Sequence, residues 1–242
     1  MLADRGWRSL TLDFRGHGDS EWASDGDYRL ISFVRDTNAV VSSLDQSPFV
    51  IGASLGGFTS MLLAGEVNPG CVRGVVLVDI IPEMESAGSN RIASFMTSKA
   101  HEGFGSLDEV ADAVAAYNPH RPRPSNLDGL RKNVRERGGR WYWHWDPAFA
   151  GGGEGVADMG PAEVTDQDRL HAAVRRILDD GVPMMLVRGR VSDLVSAEGA
   201  QRFCERFPEV EFVDVSGAGH MVAGDRNDAF TGAVVDFLSR HG

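Results

Sequence analysis

The feature that most constrains this chain is a series of short apolar runs separated by stretches with helical spacing. Gly74-Val75-Val76-Leu77-Val78-Asp79 carries no polar residue until its end. A strand of that composition must be buried on both faces, as in a parallel sheet covered by helices. Phe49–Ile51, Pro183–Arg188 (PMMLVR) and Val210–Val215 (VEFVDV) also read as strands, and Ser9–Phe14 reads as a further one. Between them, Leu30–Leu44 places Leu30, Phe33, Val34, Val40, Val41 and Leu44 largely on one helical face. Phe58–Ala64, Leu170–Leu178, Ala197–Phe207 and Asn227–Arg240 read as further helices. The expected class is α/β, a mostly parallel central sheet with helices on both faces.

The interval between Asp79 and Pro183 is about a hundred residues, far beyond an ordinary crossover. It holds a helical pattern at Leu107–Ala116, a proline-dotted segment at Asn118–Ser125 and the run Arg140-Trp141-Tyr142-Trp143-His144-Trp145-Asp146-Pro147. This predicts a discontinuous core, residues 1–82 and 166–242, interrupted by a largely helical lid over 83–165.

Composition narrows the partners. A formal charge of −11 over 242 residues disfavours nucleic acid and anionic membrane surfaces. Cys71 and Cys204 are too few for a disulfide framework or a cysteine metal site. With no apolar signal core in Met1–Arg8, the expectation is a soluble cytoplasmic protein acting on a small molecule.

The chemistry enters at Phe49-Val50-Ile51-Gly52-Ala53-Ser54-Leu55-Gly56-Gly57. A strand feeds a Gly-x-Ser-x-Gly turn and a helix follows at once, the setting in which a serine stands exposed on a sharp turn. After PMMLVR comes Gly189-Arg190-Val191-Ser192-Asp193, and after VEFVDV comes Ser216-Gly217-Ala218-Gly219-His220. In an open parallel sheet reacting groups gather beyond the carboxyl ends of the strands, so Ser54, Asp193 and His220 are expected together. His220 would take the Ser54 proton, Asp193 would hold the imidazole, and the Leu55 N–H would serve a developing oxyanion. Asp79 is a rival for the acid. Asp193 is preferred because its loop immediately precedes the histidine-bearing one. Each also has a plain structural role open to it: a turn serine, an N-cap for Ala197–Phe207, a loop histidine.

These motifs, with Asp13-x-Arg15-Gly16-His17-Gly18-x-Ser20, make the chain resemble the α/β-hydrolase superfamily from Ser9 to its end. It is most similar to the capped group of serine esterases, C–C bond hydrolases and cofactor-free haloperoxidases. The resemblance implies an acyl-enzyme route on a small or medium ester, with no metal or organic cofactor. A cofactor-free haloperoxidase or perhydrolase, or a C–C hydrolase, is the alternative within the fold. A catalytically silent fragment or interaction protein is the alternative outside it. Relatives with an aspartate at the elbow centre cleave epoxides or carbon–halogen bonds, and Ser54 disfavours that chemistry. The family pattern begins upstream of Ser9 with further strands and a His-Gly loop carrying a second oxyanion donor. The resemblance therefore implies an N-terminally shortened chain, a fragment or one begun at an internal methionine, lacking a strand between Ser9–Phe14 and Phe49–Ile51.

Other candidates are weaker. Trp141, Trp143 and Trp145 share a face if extended, and they either line a substrate pocket or pack the lid core. His17 is expected to bond within the Arg15–Ser20 turn. Arg135, Arg137 and Arg140 could meet an acidic substrate or lie on a solvated lid surface. His101 and Glu102 lack a spaced metal-binding partner. Gly151–Gly153 could form a lid hinge.

Overall fold

The computed structural model describes residues 2–119, 121–149 and 166–242. Along the chain these form α1 (Leu30–Ser42), β1 (Phe49–Ala53), α2 (Leu55–Leu62), β2 (Gly74–Val78), α3 (Ser86–Thr97) and α4 (Leu107–Tyr117). There follow β3 (Val134–Arg137), β4 (Arg140–Trp143), α5 (Gln167–Asp179), β5 (Met184–Gly189) and α6 (Ala197–Arg206). β6 (Glu211–Val215), the short α7 (Val222–Asp225) and α8 (Asn227–His241) close the chain. The expected helices and the last four expected strands are all present, with ends moved by a few residues. Among the described residues, no helix is long and apolar enough to cross a membrane.

The chain divides into two units. One contains residues 2–12, 29–89 and 166–242, and the other 13–28 and 90–149. The expected division, core at 1–82 and 166–242 with a lid at 83–165, differs in that residues 13–28 group with the inserted segment.

In the first unit β1, β2, β5 and β6 form a parallel four-stranded sheet in that order. The unbroken apolar runs follow from burial on two faces. Val76, Val78, Met185 and Val187 pack with Val234, Phe237 and Leu238 of α8. Their sequence neighbours Val75, Leu77, Met184 and Leu186 are also buried, and alternation turns them to the opposite face. α2 packs on β1 and β2 and carries α1 and α5 against itself. Trp7 meets Phe49 edge-on at 5.7 Å, and both join the α8 cluster.

Ser9–Phe14 forms no strand. A strand is held by a neighbour's ladder, and on its outer side β1 pairs with no other described strand. Leu10 and Leu12 are accordingly exposed, and Ile51 on the edge strand is 41% exposed.

The second unit is less helical than expected, since β3 and β4 make an antiparallel hairpin pairing Val134 with Trp143 and Arg137 with Arg140. Its core gathers Phe104, Val110, Ala111, Leu130, Val134, Trp143 and Trp145. Residues 13–28 are tied in by backbone bonds from Gly18 N–H to the His144 carbonyl and from Asp146 N–H to the Gly16 carbonyl. The buried Tyr28 hydroxyl donates to Asp146 Oδ2 at 2.5 Å. Burial and that carboxylate together push the phenol above its ordinary range. Gly16, at φ 74°, is required here because a Cβ would strike the Tyr28 ring.

Candidate active site

The sheet register sets the site. Ala53 pairs with Val78, Val78 with Val187, and Gly189 with Val215, so the four strands end along one edge. Ser54, Asp79, the Arg190–Val195 loop and the loop leading to His220 all begin there. That is the carboxyl edge of a parallel sheet.

Ser54 is the turn between β1 and α2, at φ 49° and ψ −118°. L-residues rarely occupy this region, and a serine kept there is strained. The surroundings impose it. Gly52 lies so close to α2 that a Cβ would collide with the Gly56 carbonyl, and a Cβ on Gly57 would collide with the Ile80 side chain. The Ser54 carbonyl accepts Gly57 N–H at 2.8 Å and Phe58 N–H at 3.3 Å, while its own N–H reaches the Val78 carbonyl at 3.3 Å. Leu55 is the first residue of α2, so helix geometry gives its N–H no acceptor within the helix.

The second strained residue is Asp79, at φ 50° directly after β2 and fully buried. Its carboxylate is met on every side by donors. Gly189 N–H reaches Oδ1 at 2.9 Å, the Ser192 hydroxyl reaches Oδ2 at 2.5 Å, and His220 Nδ1 lies 2.8 Å from Oδ2. A nitrogen this close to a carboxylate carries the proton, which leaves Nε2 as the basic nitrogen of a neutral ring. The approach of the β6 loop to β5 is equally tight, since a Cβ on Gly189 would collide with the Gly219 carbonyl.

The sequence favoured Asp193 as the partner of the histidine, with Asp79 as its rival, and the described hydrogen bond at His220 Nδ1 is to Asp79. The reason is the turn of the chain: at φ 50° the Asp79 side chain meets the ends of β5 and β6, where Gly189 and His220 are held. From the loop that contains Asp193, it is the neighbouring Ser192 that reaches the Asp79 carboxylate. Asp193 is not the N-cap of α6 either. Ser196 caps that helix, accepting Gly199 N–H at 3.0 Å. Among the described hydrogen bonds none joins Ser54 to His220, and such contacts often tighten only when substrate is bound.

The tryptophans, His17 and the three arginines singled out in the sequence fall inside the second unit. Trp143 and Trp145 are 3% and 9% exposed and stack at 4.8 Å with ring planes 11° apart. Their indole N–H groups donate to the Ser98 and Met96 carbonyls. Trp141 packs on the same cluster, with Arg131 4.9 Å over its ring. Core packing accounts for the burial of Trp143 and Trp145. His17 Nδ1 lies 3.0 Å from the Arg15 carbonyl, inside its own turn. Arg135 pairs with Asp19, Arg137 lies over Trp22, and Arg140 donates to the Glu102 and Gly103 carbonyls. Gly151–Gly153 lie outside the described residues. Burial pushes the Cys71 and Cys204 thiols up, so neither has the lowered pKa of an activated sulfur nucleophile.

Three comparisons with known proteins bear on the family of this chain. The chain is 28% identical over 246 residues to the sn-1-specific diacylglycerol lipase ABHD11 of Mus musculus, covering 99% of this chain and 74% of that protein. It is 30% identical over 236 residues to esterase Rv0045c of Mycobacterium tuberculosis, covering 93% and 72%. The crystal structure of an alpha/beta hydrolase from Novosphingobium aromaticivorans superposes with a TM-score of 0.75 at 28% identity, covering 99% of this chain and 83% of that one. The family described as "alpha/beta hydrolase fold" matches residues 1–226. A parallel sheet ending in a strained serine and a carboxylate-held histidine, with these likenesses over nearly its whole length, shows that the chain belongs to the α/β-hydrolase family.

Proposed function

We propose that this chain is a serine hydrolase of carboxylesterase type, acting through an acyl-enzyme on a small or medium ester. Ser54 is the nucleophile, His220 the general base and then general acid, and Asp79 the carboxylate that orients and stabilises the imidazolium. The observation that carries the reading is the fully buried Asp79 carboxylate at His220 Nδ1, one strand along from the strained Ser54 turn. A buried, unpaired carboxylate is costly, and here three donors meet it. That arrangement fixes the ring tautomer and leaves Nε2 to accept the hydroxyl proton.

In the forward step Ser54 Oγ attacks the ester carbonyl while its proton passes to His220 Nε2. The carbonyl oxygen gains charge and is met by the Leu55 N–H. The imidazolium then protonates the departing alkoxide, and water repeats the sequence to release the acid. The curated lipase and esterase relatives support an ester substrate.

A fluorophosphonate probe, which phosphonylates an activated serine, tests the reading directly. Labelling should map to Ser54 and vanish in Ser54→Ala. A folded sample that stays unlabelled would favour the silent-fragment reading. Resolving the acyl-enzyme with peroxide faster than with water would instead favour the perhydrolase.

A further inference from the structure

Ser192 meets the Asp79–His220 pair through its hydroxyl. Its hydroxyl donates to Asp79 Oδ2 at 2.5 Å, the same oxygen that faces His220 Nδ1 at 2.8 Å. The hydroxyl oxygen also accepts Leu194 N–H at 3.1 Å and Val195 N–H at 3.3 Å. A hydroxyl has one proton and two lone pairs. With both lone pairs taken by backbone amides, the proton has one direction left, toward the carboxylate.

The loop that presents this hydroxyl is itself fixed. Arg188 is 4% exposed, donating from Nε to the Val195 carbonyl at 2.7 Å and from Nη1 to Asp214 Oδ1 at 3.0 Å. Ser192 N–H reaches the Gly189 carbonyl at 2.9 Å, and Gly189 N–H holds the other Asp79 oxygen. Both ends of the turn therefore grip one carboxylate.

We propose that Ser192 is a positioning residue for the hydrolysis assigned above. It holds Asp79 Oδ2 on the His220 side and draws charge from that oxygen, setting the pH below which the imidazole stops acting as a base. The proposal rests on the serine-hydrolase reading. A donor at a carboxylate oxygen competes with the imidazole for the same charge. Without it, Oδ2 binds the imidazolium more strongly, and the ring is protonated at higher pH. The carboxylate also becomes free to rotate away from the ring. Other charged groups here are Asp193 in the same loop, Glu85 and Arg188 bonded to that loop, Arg190 with Asp214 at the ends of β5 and β6, and Asp225 and Arg226 behind the histidine loop. All of them remain in the variants below.

The test is kcat and KM against pH on a p-nitrophenyl ester for wild type, Ser192→Ala, Ser192→Cys and Ser192→Thr, with thermal unfolding in parallel. Loss of a bond to a charged group should lower kcat in Ser192→Ala by roughly tenfold or more, leaving KM nearly unchanged. The acid limb of kcat/KM should move up by roughly half a pH unit. Ser192→Cys, close in shape with a weaker donor, should move both in the same direction by less. Ser192→Thr, which restores the hydroxyl, should return the limb to its wild-type position. Alanine and cysteine variants with an unmoved limb, or with losses that only follow the fraction folded, overturn the proposal. Should Ser192→Ala not fold, the cysteine variant decides by the same criterion. Ser54→Ala separates the two ideas: if it turns over like wild type, the hydrolase reading falls and takes this proposal with it. If it is inactive while Ser192→Ala and Ser192→Cys behave as wild type, only the Ser192 role is lost.

Discussion

The strand-end loops and the tryptophan-rich hairpin are the two regions that the sequence marks most strongly, and they are built on opposite principles. At the strand ends the buried groups are polar and the backbone is strained. Ser54 and Asp79 sit at φ 49° and 50°, and the Asp79 carboxylate is enclosed by three donors. In the hairpin the buried groups are apolar: Trp143 stacks on Trp145, and each indole N–H is paired to a carbonyl. Strain and buried charge are tolerated where chemistry needs them, whereas aromatic area is hidden where stability needs it. Residue rarity alone does not separate the two cases, since tryptophan attracts attention and Asp79 does not.

Two experiments press on that contrast. The larger effect belongs to Trp143→Ala, which removes a 3%-exposed ring packed against Phe95, Phe104 and Trp145. It should cost about 3–5 kcal/mol, read by denaturant titration, with ester selectivity unchanged in the protein that still folds. Full stability with altered selectivity would reverse the assignment and make the hairpin a pocket wall.

A smaller effect concerns His17, in the same unit. Burial pushes its pKa below the ordinary histidine value, against the opposing influence of the Arg15 carbonyl and the Asp13 and Asp146 carboxylates. His144 is shifted down for the same first reason. As pH falls through about 6.5 the unfolded chain gains these protons before the folded one does, so stability declines on acidification. A melting-temperature series from pH 7.5 to 5 should therefore slope downward, and His17→Asn should make it shallower. An unchanged slope would mean that other groups carry the acid sensitivity.

Much of the fold could be read from composition and spacing, for a physical reason. Unbroken runs such as Val75–Val78 have only one way to be buried on both faces, and Gly52 stands where α2, and Gly57 where the Ile80 side chain, leaves no room for a Cβ. Ser9–Phe14 misled because an apolar run becomes a strand only when a neighbour supplies the ladder, which sequence does not display. Strand-end motifs located Ser54 and His220 at the carboxyl edge of the sheet. The carboxylate that meets His220 was not located in this way, because it depends on a backbone turn. Asp79 and Asp193 both follow strands, and only the left-handed conformation at Asp79 aims one of them at Gly189 and His220. The Tyr28–Asp146 pair was equally hidden, joining residues 118 apart in sequence.

The measurement that bears most directly on the account is kcat/KM of Asp79→Asn beside Asp193→Asn, on one ester, with folding checked for both. An amide at position 79 cannot hold the imidazole in the required tautomer, and the loss should be about a thousand- to ten-thousandfold. Asp193→Asn should stay within a few-fold of wild type. The reverse pattern, with Asp193→Asn inactive and Asp79→Asn close to wild type, would contradict the site described for this chain.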